Sequence, residues 1–495
     1  MNPGKIVRAP RMDDPALFRF PPTYRTSTIE TGLDWSAWNV QNDPATGAIS
    51  AAGSGGDPAQ GFAKAVEMCN NNGHCRKFDA GTMCPSYRVT RDEIHLTRGR
   101  ANTLRLALSG QLGDTFASDA VRDALDLCVS CKGCRRECPT GVDMARMKIE
   151  FQYQWQRRHG VPLRDRLIAY LPRWAPFASS VAPLLNLRDR LPGLPRLFER
   201  ATGVSAMRSL PRWRYGTFFR GYGEIGASDL APVDVVLFVD SFTNSFEPEN
   251  AHAALRVLRA AGYRADVARP PVKEGTGARP LCCGRTFLAY GLIDEAKREA
   301  LRVVDALAPY VAAGAAIVGL EPSCLLSLRD EFLALGLGDP AARLAERAWL
   351  IEEFLVRERT AGRATLPLAA LPERRALVHG HCHQKAFDAA GATVDMLRWI
   401  PNLDVEPIES SCCGMAGAFG YTASHYDVSM RMAELSLLPS VRDAGDDTLI
   451  VADGTSCRHQ IADGTRSTGA RAAVHSIRIL ARALERQARR DAREA

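Results

Sequence analysis

The chain has 495 residues, 46% hydrophobic and 24% charged, and a formal net charge of +7, which excludes a disordered or fibrous protein and leaves room for roughly three or four domains. It has no run of 18 apolar residues and no basic cluster interleaved with aromatic residues, which argues against a membrane-spanning helix and against nucleic acid as a partner. The start, Met1 to Lys5, has no apolar segment behind its charge, so we expect a cytoplasmic protein without a secretory signal.

The N-terminal segment, residues 1–60, is rich in Pro, Gly, Ser and Asp and shows little periodicity. We expect an extended arm there, with the run Gly53–Gly56 as a flexible loop, because its spacing fits no phosphate-binding motif. Residues 61–155 contain short helical stretches, such as Ala101–Leu108 and Ala120–Leu127, that flank two groups of cysteines. This pattern predicts a small α-helical domain.

Residues 156–230 have a helical pattern that seven prolines interrupt. This pattern predicts a helical connector with breaks at the prolines. Between Arg157 and Arg220 the chain has 13 arginines against three acidic residues. One interpretation is a solvated basic connector. The other is a docking face for an acidic partner or for an anionic membrane surface, with peripheral contact at the inner face of the cell membrane.

From residue 231 the pattern changes to alternating strands and helices, and it does so twice. The first unit, residues 231–345, has predicted strands at Val233–Val239, Arg264–Ala268 and Ala315–Leu320 and helices near Ala251–Ala261 and Asp294–Leu307. The second unit, residues 374–495, follows a linker at 346–373 and has predicted strands at Arg375–Val378, Leu403–Ile408 and Thr448–Ala452, a helix near Tyr426–Leu437 and a C-terminal helix. We therefore expect an α+β multidomain fold in which two repeated α/β units, each with a parallel sheet, follow the helical domain.

The 14 cysteines fall into four groups. The groups are Cys69, Cys75 and Cys84; Cys128, Cys131, Cys134 and Cys138; Cys282, Cys283 and Cys324; and Cys382, Cys412, Cys413 and Cys457. In a reducing cytoplasm such grouping indicates metal ligation before it indicates disulfides.

The second group has the spacing C-x2-C-x2-C-x3-C-P and ends at Cys138-Pro139. This is the iron–sulfur run of bacterial ferredoxins, in which three thiolates on a tight loop hold one cluster and the cysteine before proline binds the other. Zinc also binds pairs of C-x2-C, but it does not call for four cysteines ending in Cys-Pro. The motif therefore predicts a ferredoxin-type domain with [4Fe–4S] clusters.

The first group resembles the partner motif, with Asn72 where a second cysteine would stand and Cys84 before Pro85. The predicted ligands of cluster two are Cys84, Cys128, Cys131 and Cys134. The predicted ligands of cluster one are Cys69, Cys75 and Cys138. The fourth iron position of cluster one is then open, vacant or filled by another ligand, so a [3Fe–4S] cluster and a non-cysteine ligand are both hypotheses. His74 is a weak candidate for that ligand.

Two Cys-Cys-Gly motifs stand in the α/β units. Adjacent cysteines before a glycine project two thiolates from a tight turn, and cysteines at neighbouring strand ends complete a site. The second unit supplies Cys382, Cys412, Cys413 and Cys457. The first supplies only Cys282, Cys283 and Cys324, with Asp240 taken as the residue that matches Cys382. This asymmetry predicts one working site, with an iron–sulfur cluster or zinc, and one altered site; structural cysteines without metal are the alternative for both.

Four histidines lie near the cysteines of the second unit in the sequence: His381, His383, His425 and His459. Histidines in such positions tune a redox potential, pass protons or contact a quinone. An ordinary hydrogen-bonded role is the alternative for each of them.

Together these motifs resemble the iron–sulfur half of FAD-linked 2-hydroxy-acid dehydrogenases. The resemblance covers about residues 60–480 and rests on Met83-Cys84-Pro85-Ser86-Tyr87, Thr97-Arg98-Gly99-Arg100, residues 128–142 and both Cys-Cys-Gly motifs. The relatives that look nearest are the fused enzymes that oxidise D-2-hydroxyglutarate or D-lactate and the iron–sulfur subunit of glycolate oxidase. Residues 1–6 resemble the end of the FAD-linked oxidase domain in the fused enzymes, so we expect the C-terminal half of a longer protein.

The resemblance implies an electron-transfer module without a catalytic acid, base or nucleophile of its own. Electrons would pass from reduced FAD on a partner domain or subunit to the ferredoxin clusters, then towards the Cys-Cys-Gly units and a quinone or other acceptor. Two alternatives remain open. One is a heterodisulfide-reductase-like enzyme that acts at the Cys-Cys-Gly cluster, and the other is a zinc-stabilised scaffold that docks the flavoprotein.

Overall fold

The computed structural model describes residues 24–38, 59–77, 81–113, 116–222, 233–269 and 279–494, together with residues 9, 11 and 14. The expectations for residues 1–6 and for Gly53–Gly56 lie outside the described residues. Among the helices of the described part, none has the length and apolar character needed to cross a membrane.

Among the described residues, six helices build the region that holds the first two cysteine groups. They are α1 Phe62–Glu67, α2 Pro85–Thr90, α3 Thr97–Leu108, α4 Asp119–Asp126, α5 Gly133–Glu137 and α6 Met144–His159. Helix α3 packs against both α1 and α4. The core between them contains a chain of edge-to-face rings, since Phe116 lies 5.5 Å from Phe62 and 5.8 Å from Phe151. The two predicted helical stretches correspond to α3 and α4.

Residues 24–38, part of the expected arm, contain one 3-10 turn, Ser36–Trp38, and lie against this core. Glu150 is fully buried and holds the segment against the core. Its carboxylate accepts hydrogen bonds from the backbone N–H groups of Gly32 and Leu33 and from Trp35 Nε1, each at 3.0 Å. Hydrogen bonds to a buried charge are the strong ones. This segment is therefore part of the packed structure.

Within the described part of the proline-interrupted region, five short helices follow: α7 Leu163–Ala169, α8 Leu171–Ser180, α9 Ala182–Leu185, α10 Leu194–Thr202 and α11 Phe218–Gly221. In α8, α9 and α10 the second residue is proline, which tolerates the first helical turn because the N–H it lacks has no partner there. Small side chains of α8 and α9, Ala175, Ala178 and Ala182, pack against Trp213 and Phe246.

The first sheet has four parallel strands in the order β2-β1-β3-β4. Its elements are β1 Val235–Phe238, α12 Ser241–Ser245, α13 Pro248–Ala260, β2 Ala265–Val267, α14 Arg285–Leu288, α15 Ile293–Ala312, β3 Ala316–Gly319, α16 Pro322–Leu328, α17 Glu331–Ala334, α18 Asp339–Arg347, β4 Ala348–Leu350 and α19 Ile351–Thr360. Strand β4 lies in the segment expected to be a linker. It has three residues and follows α18 directly, so it is too short to show a period in the sequence.

The second sheet has three parallel strands in the order β6-β5-β7. Its elements are β5 Arg375–His379, α20 Cys382–Ala386, α21 Ala390–Leu397, β6 Asp404–Pro407, α22 Tyr426–Glu434, α23 Leu437–Arg442, β7 Thr448–Ala452, α24 Thr455–Gly464 and α25 Ser476–Glu494. Two small parallel sheets within a mixed helix and sheet fold were expected, and both are present.

The two sheets share one hydrophobic core. Val235 of β1 and Val378 of β5 belong to the same buried cluster, and Ile477 and Leu480 of α25 join it. Helix α25 packs against α13 of the first unit and α21 of the second, so the C-terminal helix contacts both units. The two sheets are thus tied together by apolar burial.

A buried charge cluster joins the helical region to the first sheet. Lys132, between Cys131 and Cys134, is 3% exposed and pairs with Asp330 and with Glu331, the latter at 2.7 Å. Burial opposes the charge of Lys132, yet the two acids raise its pKa. Burial likewise opposes the charge of Asp330, but Lys132 and two arginines hold its pKa below the usual range. Because each of these charges has partners of opposite sign, Lys132 and Asp330 keep their charges away from water.

We expect Asp330→Ala to lower the free energy of unfolding by about 3–5 kcal/mol at neutral pH, because it leaves Lys132 buried without its main partner. Urea unfolding measures the change. The control Asp446→Ala removes a fully exposed carboxylate and should change stability by less than about 0.5 kcal/mol. Since the folded-state pKa of Asp330 is depressed, its contribution is present above an ordinary aspartate pKa of about 4 and is lost as the pH falls further. A deficit that does not shrink in acid would contradict this assignment.

Candidate iron-sulfur centre

Four cysteines line one cavity. Cys84 stands at the N-terminus of α2, and Cys128, Cys131 and Cys134 lie on the loop between α4 and α5 and at the start of α5. The remaining lining residues are Pro85, Ser86, Thr97, Arg100, Val129, Ser130, Lys132, Met144 and Ala145. The structure therefore brings together the four cysteines expected to bind cluster two.

The loop folds tightly because Ser130 and Lys132 adopt left-handed conformations, with φ of 49° and 59°. Gly133 follows, and a Cβ there would press on the backbone of Met83. Cys84 is itself left-handed, with φ of 52°. Such φ values are uncommon for residues with a side chain and cluster at functional sites. They turn the thiols of the loop and of α2 towards the same space.

The cavity has the donor set of an iron–sulfur site. No carboxylate or imidazole lies among its lining residues, and four sulfurs are the ligands that iron–sulfur clusters and zinc select. Burial raises the pKa of Cys84, Cys131 and Cys134, so the thiolate form is unfavourable without a cation. A metal centre supplies that compensation. The residues present therefore fit such a group.

Several donors already point at this site. The backbone N–H of Thr97 donates to Cys84 Sγ at 3.1 Å, and that of Met144 donates to Cys134 Sγ at 3.4 Å. Lys148 Nζ donates to the carbonyl oxygen of Cys128 at 2.7 Å. Hydrogen bonds to sulfur and buried charge are among the factors that set the potential of a cluster.

The predicted ligands of cluster one are less uniform in their surroundings. Cys69 and Cys75 are buried, and burial, with smaller contributions from Cys84 and Cys69, raises the pKa of Cys75 to about 11. Cys138 is half-buried at the end of α5, and its Sγ lies 3.3 Å from Thr140 Oγ1. Cys69 and Cys75 belong to one hydrophobic core, and Cys138 packs against that same core.

Asn72, at the place of the absent cysteine, is exposed and engaged in a turn. Its Oδ1 accepts a hydrogen bond from the backbone N–H of His74 at 2.8 Å, and its Nδ2 donates to Asn70 Oδ1 at 2.6 Å. His74 is exposed as well. The asparagine thus shapes the loop between Cys69 and Cys75.

The fourth cysteine group converges at the carboxyl ends of the strands of the second sheet. Cys382 begins α20 after β5, Cys412 and Cys413 follow β6, and Cys457 lies in the first turn of α24 after β7. The four thiols form a chain of contacts, Cys382 with Cys412, Cys412 with Cys413 and Cys413 with Cys457. Parallel strands place their carboxyl ends at one edge, which is why residues so distant in sequence meet.

His379 joins this group and was not among the predicted residues. One of its ring nitrogens and the sulfurs of Cys413 and Cys457 all lie within 4.8 Å of one another. Its Nδ1 lies 2.7 Å from Ser410 Oγ. His379 is the last residue of β5, and its position one residue past the predicted end of that strand is the only sequence signal for it.

The neighbours of Cys382 favour its thiolate. The contact with Cys412 and, more weakly, the charge of Lys385 lower the pKa of Cys382, although burial opposes this. Lys385 Nζ donates to the carbonyl oxygen of Ser411 at 3.2 Å, directly before Cys412. A cationic environment of this kind is found at metal-binding and nucleophilic cysteines.

The four predicted histidines have different surroundings. His381 caps α20 and accepts from the backbone N–H of His383 at 3.1 Å, and His383 Nε2 lies 3.1 Å from the carbonyl oxygen of Ser130. For the other two, His425 Nε2 lies 2.9 Å from a carboxylate oxygen of Asp126, and burial lowers the pKa of His459. Of the four, His383 is the one that links the cluster-two loop to the second sheet.

The third cysteine group has a similar turn. Cys282 contacts Cys283, which contacts Cys324. In both Cys-Cys-Gly turns the glycine N–H donates to the sulfur of the first cysteine at 3.4 Å and the glycine has positive φ, 74° at Gly284 and 84° at Gly414.

The residue that matches Cys382 is Ser241 and not Asp240. Asp240 is the N-cap of α12, as His381 is of α20, and Ser241 and Cys382 are the first helical residues that follow them. The Asp240 carboxylate accepts from the backbone N–H groups of Phe242 and Thr243 at 2.9 and 3.1 Å. Burial, then Glu321, raises the pKa of Asp240 to about 6. The prediction that matched Asp240 to Cys382 was wrong by one position, because the cap could not be located from the strand alone.

The cavity of cluster two adjoins the thiols of the second sheet. Cys131, Cys382 and Cys412 belong to one small buried cluster, and burial, followed by the neighbouring Cys382, raises the pKa of the Cys131 thiol. Ser411 Oγ donates to the carbonyl oxygen of Thr82 at 3.0 Å. Nothing in the sequence indicated this adjacency.

We expect Gly414→Ala to disrupt the second Cys-Cys-Gly turn, because a Cβ at positive φ would collide with the Ser429 carbonyl oxygen. The expected loss in unfolding free energy is about 2–5 kcal/mol, with reduced metal content of the purified protein. Gly417→Ala is the control, since Gly417 also has positive φ but faces open space, and should cost about 1 kcal/mol. Equal losses for both variants would show that the turn itself is not tightly packed.

Comparison with protein families identifies a 4Fe-4S dicluster domain at residues 65–142. This range contains both cysteine groups of the helical region. The prediction of a ferredoxin-type domain with 4Fe–4S clusters is thereby confirmed at the level of the domain.

Three curated relatives extend the comparison to the rest of the chain. One subunit of the anaerobic glycerol-3-phosphate dehydrogenase of Escherichia coli is 29% identical over 328 residues, 65% of this chain and 77% of the relative. The glycolate oxidase iron-sulfur subunit of the same organism is 24% identical over 85% of this chain and 95% of the relative. Its D-2-hydroxyglutarate dehydrogenase is 24% identical over 83% of this chain, but the chain spans only 43% of that enzyme. The resemblance seen in the sequence is confirmed: over most of its length, the chain matches the iron–sulfur half of FAD-linked dehydrogenases.

Proposed function

We propose that this chain is the electron-transfer module of a flavin-dependent dehydrogenase. It would receive electrons from reduced FAD on a partner domain or subunit and deliver them to a quinone or another acceptor. The observation that carries the proposal is the buried contact between the cavity of Cys84, Cys128, Cys131 and Cys134 and the thiols at Cys382 and Cys412. Two adjacent buried sulfur sites suit the passage of electrons.

The helical region is proposed to hold two clusters. Cys84, Cys128, Cys131 and Cys134 would bind a [4Fe–4S] cluster, and Cys69, Cys75 and Cys138 the other. Asn72 stands where a fourth cysteine would and is engaged in a turn, so cluster one has only three thiols. A [3Fe–4S] cluster or a non-cysteine fourth ligand is therefore part of the proposal. When bound, such clusters accept and release single electrons.

The chain's own residues provide the environment. The surrounding core excludes water, and the N–H groups of Thr97 and Met144 would stabilise thiolate charge at Cys84 and Cys134. Lys132, held by Asp330 and Glu331, adds a fixed buried charge between two ligands. Burial, hydrogen bonds and charge are the protein's means of setting a potential.

The fourth cysteine group is proposed as a further metal site. Cys382, Cys412, Cys413 and Cys457 offer four sulfurs, with His379 beside two of them. This donor set suits an iron–sulfur cluster or zinc. The third group, with Ser241 where the second unit has Cys382, offers three thiols. We propose that the two units are repeats and that the first has lost or altered its site.

The relatives suggest a substrate class for the flavin-bearing partner, where the substrate would bind. Their names refer to D-2-hydroxyglutarate, glycolate and glycerol 3-phosphate. A small hydroxylated acid or phosphate ester is therefore proposed for the flavin-bearing partner. The acceptor is proposed to be a quinone, with peripheral contact between this chain and the membrane that contains it.

A second candidate function is the reduction of a disulfide at the fourth cysteine group. The contact with Cys412, which lowers the pKa of Cys382, favours it, because a thiolate is the species that attacks a disulfide. Cys382 is buried, at 7% exposure, which disfavours access by a bulky disulfide. A zinc-stabilised docking scaffold is the remaining alternative, and it predicts zinc without iron in residues 374–495.

We expect Cys382→Ser to slow electron delivery to the acceptor. Protein reduced with dithionite, then freed of excess reductant, is mixed with a water-soluble quinone, and reoxidation is followed by the absorbance of the clusters. The variant should be reoxidised more slowly by about tenfold or more, because one of the four sulfurs of the fourth cysteine group is lost. The signal of the helical-region clusters should persist.

Cys324→Ser is the matched control, since Cys324 is equally buried and belongs to the third group. It should reoxidise at nearly the native rate. Unchanged reoxidation in Cys382→Ser would exclude the fourth group from the electron path. Reduction of a small disulfide by the native protein, lost in Cys382→Ser, would support the second candidate function.

A further inference from the structure

An unusual number of large apolar side chains face solvent on α7 to α10 and the segments that follow them. They are Leu163, Leu167, Phe177, Val181, Leu184, Leu185, Leu191, Leu197, Met207 and Tyr215, with exposed fractions from 38% to 77%. Single exposed apolar residues are ordinary, but a concentration of them in one segment marks an interaction site. We call this set, with the arginines named below, the apolar-basic surface.

Helices α8 and α9 carry apolar residues on two opposite faces. Pro172, Ala175, Ala178 and Ala182 are buried against the fold. Phe177 of α8, Val181 at the junction of the two helices and Leu184 of α9 are 77%, 47% and 66% exposed. A surface helix usually has one apolar face, so the second face points to a second apolar environment.

Helix α10 gives the same indication independently. None of its residues is buried, and Leu197 is 62% exposed. A nine-residue helix gains most of its stability from packing. Here the described packing is slight, and the apolar side chain is directed away from it.

The charge of this surface is strongly positive. Arg190, Arg196, Arg200 and Arg212 are exposed, and within the part of the chain that the structure describes none of them has an acidic partner. Other arginines of the connector, such as Arg173 and Arg188, are paired within the fold. The charges without an acidic partner point to compensation from outside, by an anionic partner.

We propose that the apolar-basic surface binds the surface of an anionic lipid membrane, with Phe177, Val181 and Leu184 inserted among the acyl chains near the headgroups. Phe177, Val181 and Leu184 are 77%, 47% and 66% exposed, so they can enter a fluid surface without a matching pocket in a protein partner. Apolar side chains beside arginines are the composition of helices that lie in the membrane interface, and each basic side chain adds attraction to anionic lipids. The inference deepens the proposed function, from which it takes the expectation of a membrane-bound acceptor.

The test is sedimentation of the full chain with vesicles, which needs no electron transfer. The native protein should sediment with vesicles of phosphatidylglycerol and phosphatidylcholine, less with phosphatidylcholine alone, and less at high salt. Phe177→Ser with Leu184→Ser should lower the partition coefficient by at least about tenfold, because two inserted apolar side chains are lost. The matched control is Leu301→Ser with Leu435→Ser, both 43% exposed in other parts of the fold, and it should bind as the native protein does.

A second pair of variants tests the charge. Arg196→Glu with Arg200→Glu should weaken binding to anionic vesicles, whereas Lys297→Glu with Arg343→Glu makes the same change in net charge at exposed sites elsewhere and should have little effect. Iron content and thermal unfolding show that each variant is folded.

Three results would overturn the proposal: no sedimentation of the native protein, equal binding by Phe177→Ser with Leu184→Ser, or equal weakening by both charge pairs. Loss of binding to the purified flavoprotein in Phe177→Ser with Leu184→Ser, without loss of vesicle binding, would assign the surface to a protein partner instead. Iron-containing protein that fails to bind vesicles would refute this inference and leave the proposed electron transfer intact.

Discussion

The buried ion cluster around Lys132 is the interaction on which the arrangement of the sulfur sites depends. Lys132 stands inside the second cysteine group, and its partners Asp330 and Glu331 belong to the first sheet's side of the molecule. Arg285, directly after the first Cys-Cys-Gly turn, also pairs with Glu331. Because each buried charge needs the others, the cluster loop and that turn are held in a fixed relation.

The cluster-two loop is also positioned against the cysteines of the second sheet. The carboxyl ends of the parallel strands present Cys382, Cys412, Cys413 and Cys457 at one edge, and the cluster-two loop lies against that edge through Ser130 and His383. The shared core of the two sheets prevents the edges from moving apart. The consequence is a continuous buried region of sulfur donors that runs from the helical domain into the second sheet, which is the structural basis of the proposed electron path.

Local features could be predicted from the sequence better than their assembly. The spacing from Cys128 to Cys138 is a local motif, so both the motif and the dicluster domain could be read directly, and the apolar strands β1, β3, β5 and β7 were evident from their composition. The three-residue strand β4 was too short to show a pattern. Asp240 was matched to Cys382 because the position of the helix cap could not be located from the strand alone. For His379 the sequence offered only its position one residue past the predicted end of β5, and the proximity of Cys131 to Cys382 depends on long-range packing, for which a single sequence contains no signal.

The proposed electron transfer requires that sulfur donors in this chain hold redox-active clusters. The direct measurement is the iron, acid-labile sulfide and zinc content of anaerobically purified protein, with electron paramagnetic resonance before and after dithionite. We expect about seven or eight irons from the helical domain, with reducible signals, and further iron or zinc if the second sheet binds metal. Zinc without iron, or iron near zero after cluster reconstitution, would contradict the electron-transfer role.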